Sequence, residues 1–279
     1  MKMGKVAVIG AGTMGSGIAQ VTALAGFEVT VRSRRGTEGL SRLYQNVEKA
    51  RCKKALTSVQ ADLLLSNISW TTDLREAVKA ADFVIEAVVE DLEVKKRLFQ
   101  EIDLYCPKHA ILASNTSSLS ISKLAHVTKR PDKVVGTHFF NPVPVMKLVE
   151  VAPTTVTSEE TLETIIGFLE KLGKTALIVK DSAGFVVNRI LMQMVNEAAF
   201  VLKEGVATAE TIDSAMKLGA NHPIGPLALA DLIGIDVCLK IMEQFYAKDA
   251  KYQPCPLFRE MVDKGYLGRK TRKGFYTYK

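Results

Sequence analysis

The string Gly10-Ala11-Gly12-Thr13-Met14-Gly15 lies between the apolar run Lys5-Val6-Ala7-Val8-Ile9 and a stretch with helical apolar spacing, and it restricts the fold more than any other feature. Gly10 permits a tight turn, Gly12 lets the backbone approach a pyrophosphate, and Gly15 lets the helix pack close on its strand. The helix start then presents free N–H groups and the positive end of its dipole to phosphate. Such a string alone is weak evidence, but here a strand precedes it and a helix follows. Gly10, Gly12, Thr13, Met14 and Gly15 are therefore the expected binders of a dinucleotide.

Strand-like runs alternate with helical patterns up to Lys180: Val6–Ile9, Glu28–Val31, Phe83–Glu86, Ala110–Ala113, Val134–His138, Lys147–Val151 and Ala176–Val179. Helices are expected over Met14–Ala25, Gly39–Lys54 and Leu162–Lys171. This alternation predicts an α/β, Rossmann-type, mostly parallel sheet with helices on both faces. From Phe185 onward the apolar residues keep helical spacing, as in Ile190, Leu191, Met194, Val195 and Ala198, with breaks at Gly205, Gly219, Pro223, Gly225-Pro226 and Gly234. A smaller all-α domain is expected there, with the boundary at Ala183-Gly184 and domains of 1–184 and 185–279. Ile190–Leu202 and Leu227–Ile241 carry more apolar positions than a small helical domain buries alone, which predicts self-association as a homodimer.

A formal charge of +7 suits nucleic acid or a ligand rich in phosphate. The basic residues are not interleaved with aromatics for base stacking and no nucleic-acid-binding signature is present, so anionic small ligands are expected and nucleic acid is not. No apolar run reaches the roughly 18 residues of a membrane span and nothing resembles a signal peptide, which predicts a cytoplasmic protein off the membrane. Cys52, Cys106, Cys238 and Cys255 are scattered, without metal-ligand spacing. Neither disulfide nor metal is expected.

NAD-binding Rossmann units place an acidic residue at the end of the second strand, where it accepts bonds from the adenosine ribose hydroxyls. Here that place reads Val31-Arg32-Ser33-Arg34-Arg35. Ser33 donates a hydrogen bond, Arg34 and Arg35 offer charge-assisted ones, and no carboxylate repels a 2′-phosphate. NADP(H) is the expected cofactor, with NAD(H) as the alternative; a solvated loop is the bland reading of the two arginines.

The segment from Gly136 to Val151 has strand-like ends around the turn Asn141-Pro142-Val143-Pro144, and folding back there brings Glu150 beside His138. A histidine exchanges a proton with an alcohol near neutral pH, and a carboxylate beside it orients the ring and stabilises its charged form. A buried His–Glu pair serves equally well as a structural pair. The residues alone leave both readings open.

Across practically its whole length the chain resembles the 3-hydroxyacyl-CoA dehydrogenase family, in particular its short bacterial 3-hydroxybutyryl-CoA dehydrogenases. The resemblance rests on the glycine-rich turn, Ile85-Glu86-Ala87 with Glu90, Ser114-Asn115-Thr116-Ser117-Ser118, the His138 to Glu150 stretch, Gly184-Phe185-Val186-Val187-Asn188-Arg189, Asn221-His222-Pro223 and Leu267-Gly268-Arg269-Lys270. It implies that His138 and Glu150 are the catalytic pair, with Ser117 and Asn188 binding and polarising the substrate. It further implies that Glu90, Lys95, Asn115, Asn141 and Lys270 lie along the cofactor site, and that the C-terminal domain carries substrate cleft and dimer contacts. Lys49, Arg51, Lys53 and Lys54, on a helical stretch, are candidates to meet coenzyme A phosphates, the resemblance pointing to Lys53. Asn46 stands where relatives often carry a serine contact to CoA. Ser33 departs from the family's acidic residue and puts its usual NAD preference in doubt.

The implied reaction interconverts a 3-ketoacyl-CoA, acetoacetyl-CoA above all, and the (S)-3-hydroxyacyl-CoA with a nicotinamide cofactor. A dehydrogenase of a small free hydroxy acid is the rival enzyme, and a non-catalytic nucleotide-binding protein the rival of another class.

Overall fold

Short runs, most of them rich in β-branched residues, form the strands Lys5–Ile9 (β1), Glu28–Arg32 (β2), Ile68–Thr71 (β3), Phe83–Glu86 (β4), Ile111–Ser114 (β5), Val134–Phe139 (β6), Leu148–Pro153 (β7) and Thr175–Ile178 (β8). In the computed structural model, which describes residues 4–279, these strands form one sheet in the order β3-β2-β1-β4-β5-β6-β7-β8. All neighbours run parallel except the antiparallel β6–β7 pair. Parallel strands need crossovers. Thr13–Leu24 (α1), Thr37–Cys52 (α2), Ser58–Ser66 (α3), Leu74–Val78 (α4), Leu92–Tyr105 (α5), Ile121–Ala125 (α6) and Glu159–Lys171 (α7) lie between them.

The core of this unit gathers Val6, Val8, Ile18, Val29, Ile85 and Val135 from strands and helices around the nucleotide turn. Side chains cap some of the helix starts: Thr57 forms a capping box with Gln60 on α3, and Asp91 accepts from Val94 N–H on α5. The start of α1 has no side-chain cap.

The chain divides into two compact units, one ending at Ser182 and the other running Ala183–Lys279. The second consists of Val187–Lys203 (α8), Ala209–Gly219 (α9), Pro226–Ile233 (α10), Ile235–Tyr246 (α11) and Pro256–Asp263 (α12). Its core joins Met192, Val195, Leu227, Ile235, Met242 and Phe258. Two buried carboxylates organise it. Asp213 accepts the Leu227 and Ala228 N–H groups at the start of α10, and Asp231 accepts those of Phe275 and Tyr276, tying down the C-terminal segment.

The structure corrects several sequence expectations. β3 carries only four residues, two of them exposed, so it offers too little apolar alternation to be read as a strand. The helix expected through Lys54 ends at Cys52, with Lys54 at φ 56° beyond it. The helical break expected at Gly234 is present: at φ 109° it turns the chain between α10 and α11, so that Leu227–Ile241 spans two helices. All four cysteines are free thiols. No helix among the described residues is long and apolar enough to cross a membrane.

Candidate active site

Antiparallel pairing puts His138 on β6 directly across from Glu150 on β7. Residues opposite each other project to one face of the sheet, so the register alone brings imidazole and carboxylate together. His138 Nδ1 lies 2.8 Å from Glu150 Oε2. Both side chains are buried, His138 at 6% and Glu150 at 1% exposure. The Phe140 ring packs against the imidazole at a centroid distance of 4.4 Å. A carboxylate on Nδ1 fixes the ring's orientation and favours its charged form.

The turn that joins the two strands is held from beneath. Lys174 Nζ donates to Val143 O at 2.5 Å and to Met146 O at 2.8 Å. Burial pushes the Lys174 ammonium below its ordinary value. Sequence reading missed this residue, since one lysine among many carries no signal of its partner carbonyls.

The end of β5 contributes a second loop. Asn115 N–H bonds Glu86 O at 2.8 Å, and Asn115 Oδ1 accepts the Phe139 N–H at 3.0 Å, so this loop is tied to the strand of His138. Ser117 N–H donates to Glu90 Oε1 at 3.0 Å, while among the described residues the Ser117 hydroxyl meets no hydrogen-bond partner. Burial pushes the Glu90 carboxyl up, but the Lys95 charge and the bonds from Thr116, Ser117 and Lys95 outweigh it and hold the group below the usual carboxylate range.

At the head of β1, a Cβ on Gly10 (φ 114°) would collide with Ala87 O, and one on Gly15 with Gly10 O. The space before Gly12 is open to 4 Å. An uncapped helix start facing an open cradle fits a dinucleotide pyrophosphate. Arg42, on α2, donates from Nη1 to Thr13 Oγ1 at 2.8 Å, bringing a guanidinium to this turn that sequence reading did not single out. Met14, half-buried, follows Thr13 in the first turn of α1. At the end of β2, Ser33 is 4% exposed and donates its N–H to Thr71 O at 3.0 Å, whereas Arg34 and Arg35 are exposed. Arg32 Nε bonds Thr72 O at 3.2 Å, and burial, then the Arg34 charge, lowers the Arg32 pKa.

Beside α1 and α2 lies a cavity of about 690 Å³, lined among others by Gln20, Asn46, Lys49, Lys53, Lys147 and Asn141. Gln20 Oε1 is buried there without a hydrogen-bond partner. Lys53 reaches this cavity and Lys54 does not line it. In the helical unit, Asn188 is half-buried in the first turn of α8, and Lys270 Nζ pairs with Asp236 Oδ1 at 2.5 Å. Among the described residues no group of three or more His, Cys, Asp or Glu is arranged to hold a metal ion.

Residues 5–182 match the family model described as 3-hydroxyacyl-CoA dehydrogenase, NAD binding domain, and residues 184–278 match the 3-hydroxyacyl-CoA dehydrogenase, C-terminal domain. The chain belongs to the 3-hydroxyacyl-CoA dehydrogenase family. It is 50% identical over 283 residues to the probable 3-hydroxybutyryl-CoA dehydrogenase of Bacillus subtilis, covering 100% of this chain and 98% of that one. It is 51% identical to the 3-hydroxybutyryl-CoA dehydrogenase of Clostridioides difficile, covering 98% and 99%. The crystal structure of (S)-3-hydroxybutyryl-CoA dehydrogenase from Ralstonia eutropha superposes with a TM-score of 0.93 at 47% identity, covering all of both chains.

Within this 3-hydroxyacyl-CoA dehydrogenase fold, His138, Glu150, Asn115 and Asn141 lie on or beside β6, β7 and the adjoining loop. Ser117 shares that loop with Asn115. Lys95 is fully buried between Glu86 and Glu90.

Proposed function

We propose that this chain is a cytoplasmic oxidoreductase that interconverts 3-ketoacyl-CoA, acetoacetyl-CoA in particular, and (S)-3-hydroxyacyl-CoA. The observation that carries the reading is the buried His138–Glu150 pair at 2.8 Å. When bound, the nicotinamide supplies or accepts the hydride at C3. In reduction the His138 imidazolium donates its Nε2 proton to the oxygen on C3; in oxidation neutral His138 takes that proton from the hydroxyl. Glu150 keeps the charged ring favourable and fixed. Ser117, its hydroxyl unspent on the protein, donates to a substrate oxygen where charge builds in the transition state. Asn188, in the first turn of α8, binds the substrate.

The glycine turn, with Gly10, Gly12, Thr13, Met14 and Gly15, holds the pyrophosphate. Ser33 and Arg34 bind a 2′-phosphate and favour NADP(H) over NAD(H). Glu90, Lys95, Asn115, Asn141 and Lys270 complete the cofactor site, and the lysine-rimmed cavity, lined by Lys53 with Lys54 next to it in the chain, meets the anionic tail of CoA. A free hydroxy acid would leave that basic rim unused. The helical unit exposes Val186, Ile190 and Leu232 at 49%, 66% and 52%, consistent with homodimerisation. Light scattering at micromolar concentration is expected to give a dimer, and an active monomer would refute it.

Cofactor oxidation followed with acetoacetyl-CoA and with free acetoacetate, each with NADPH and NADH, tests the reading. Turnover with the thioester and far less with the free acid is expected. Equal turnover would favour the free-acid dehydrogenase, and none with either would leave a nucleotide-binding protein.

A further inference from the structure

Lys174 is buried, at 7% exposure, and burial alone lowers its pKa, with no neighbouring carboxylate to hold it up. Its ammonium gives two of its donors to two different carbonyls, Val143 O at 2.5 Å and Met146 O at 2.8 Å. Both belong to the turn of residues 140–147 between β6 and β7. The backbone that carries this ammonium is fixed on either side. Lys174 N–H donates to Leu169 O at 3.0 Å at the end of α7, and Thr175 N–H donates to Lys147 O at 2.8 Å as β8 joins the sheet. Charge-assisted bonds from so fixed a residue restrain the turn at two points, three residues apart.

The same turn rests against α1. Val143 is 2% exposed, and a Cβ on Gly17 would come within 2.9 Å of Val143 Cβ. The missing side chain at Gly17 is what permits so close an approach. The turn is therefore held between Lys174 and Gly17. Its Val143, Pro144 and Val145 line the same cavity as Lys49 and Lys53. His138 and Glu150 do not depend on this clamp, because the β6–β7 register pairs them directly and Asn115 Oδ1 holds the Phe139 N–H.

We propose that Lys174 is a positioning residue for substrate selection: together with Gly17 it sets the turn that walls the lysine-lined cavity, so that the cavity accepts the phosphate-bearing tail of a CoA thioester. The inference rests on the reading of that cavity as the site of the CoA tail. Loss of the clamp shifts the cavity wall and leaves the reacting centre in place, so it weakens binding of the tail and spares the chemistry.

Lys174→Met and Gly17→Ala in the full-length protein test this with two substrates. One is acetoacetyl-CoA; the other is the acetoacetyl thioester of N-acetylcysteamine, which offers the same reacting carbonyl without a phosphate. The first variant removes the ammonium, and the second changes no charge but pushes the turn from the opposite side. In both, KM for acetoacetyl-CoA is expected to rise about tenfold or more with kcat within about threefold of wild type, the pattern of lost uniform binding. The kcat/KM for the truncated thioester is expected to stay within about threefold of wild type. Calorimetric titration with coenzyme A itself should show a Kd weakened in parallel with KM. A lysine that served only the fold would lower activity on both substrates alike.

Lys174→Met leaves two buried carbonyls without their donor, which is destabilising. If thermal unfolding shows that variant unfolded, Gly17→Ala, whose alanine favours the helix of α1, carries the comparison with the same expected direction. Equal losses on the two substrates, a fall in kcat at unchanged KM, or wild-type values for acetoacetyl-CoA in either folded variant would each overturn the proposal. Wild-type protein that binds no coenzyme A and turns over both thioesters with one kcat/KM would instead remove the tail from the cavity, overturning the reading beneath the proposal and the proposal with it.

Discussion

The β6–β7 pair and the loop after β2 both carry basic side chains, in opposite settings. His138 and Glu150 are buried, opposite each other in one ladder, and fixed to 2.8 Å. Arg34 and Arg35 project from a turn into solvent. A preorganised interior pair acts at full strength whatever the salt, whereas exposed arginines act through a screened field. On the proposed reading, the first region does the chemistry and the second chooses the cofactor.

The largest effect expected is at His138. His138→Asn should keep cofactor binding and the fold while lowering turnover by about 10²–10⁴-fold, the range typical of general acid–base catalysis. Near-normal turnover would remove His138 from the mechanism and return the pair to a structural role.

Next in size is cofactor preference. One or two charge-assisted bonds to the 2′-phosphate, roughly 1.5–3 kcal/mol each before solvent exposure reduces them, favour NADPH on the order of 10²-fold. Ser33→Asp with Arg34→Gln should reverse the preference, and the wild-type preference should shrink as salt is raised. Equal use of both cofactors by the unmodified protein would make the arginines a solvated loop. A smaller loss is expected for Glu150→Gln. The amide oxygen still accepts from Nδ1 but without charge, a difference of about 1–1.5 kcal/mol or roughly tenfold in kcat. A loss as large as that of His138→Asn would mean that Glu150 does more than orient and stabilise the ring.

These two regions were also unequally legible in the sequence. The β6–β7 pairing could be anticipated because the Pro-punctuated turn folds a chain whose flanking residues count out in step, and the glycine turn because each glycine has a steric task. The role of Lys174 under that turn, the reach of Arg42 to Thr13 and the three-sided burial of Lys95 depend on long-range packing that no local spacing encodes. β3 was hidden for the reverse reason: as an edge strand of four residues with an exposed Ser-Trp centre, it takes its structure from β2.

The smallest expected effect lies between the two regions, at Glu90. Its carboxyl is held below the usual range despite burial. A depressed carboxylate contributes stability that is present above its unfolded value, about 4.3, and is lost as pH falls through the folded one. The difference in unfolding temperature between wild type and Glu90→Gln should therefore be steady at neutral pH and shrink only below the ordinary carboxylate range. A difference that disappears near pH 6 would contradict the depressed carboxylate.

The division between chemistry and cofactor choice is tested most directly by the ratio of kcat/KM for NADPH to that for NADH, measured with acetoacetyl-CoA in wild type and in His138→Asn at one ionic strength. Both kcat/KM values are predicted to fall together, leaving the ratio unchanged. A ratio that moves with His138, or one cofactor whose kcat/KM is spared, would contradict the account.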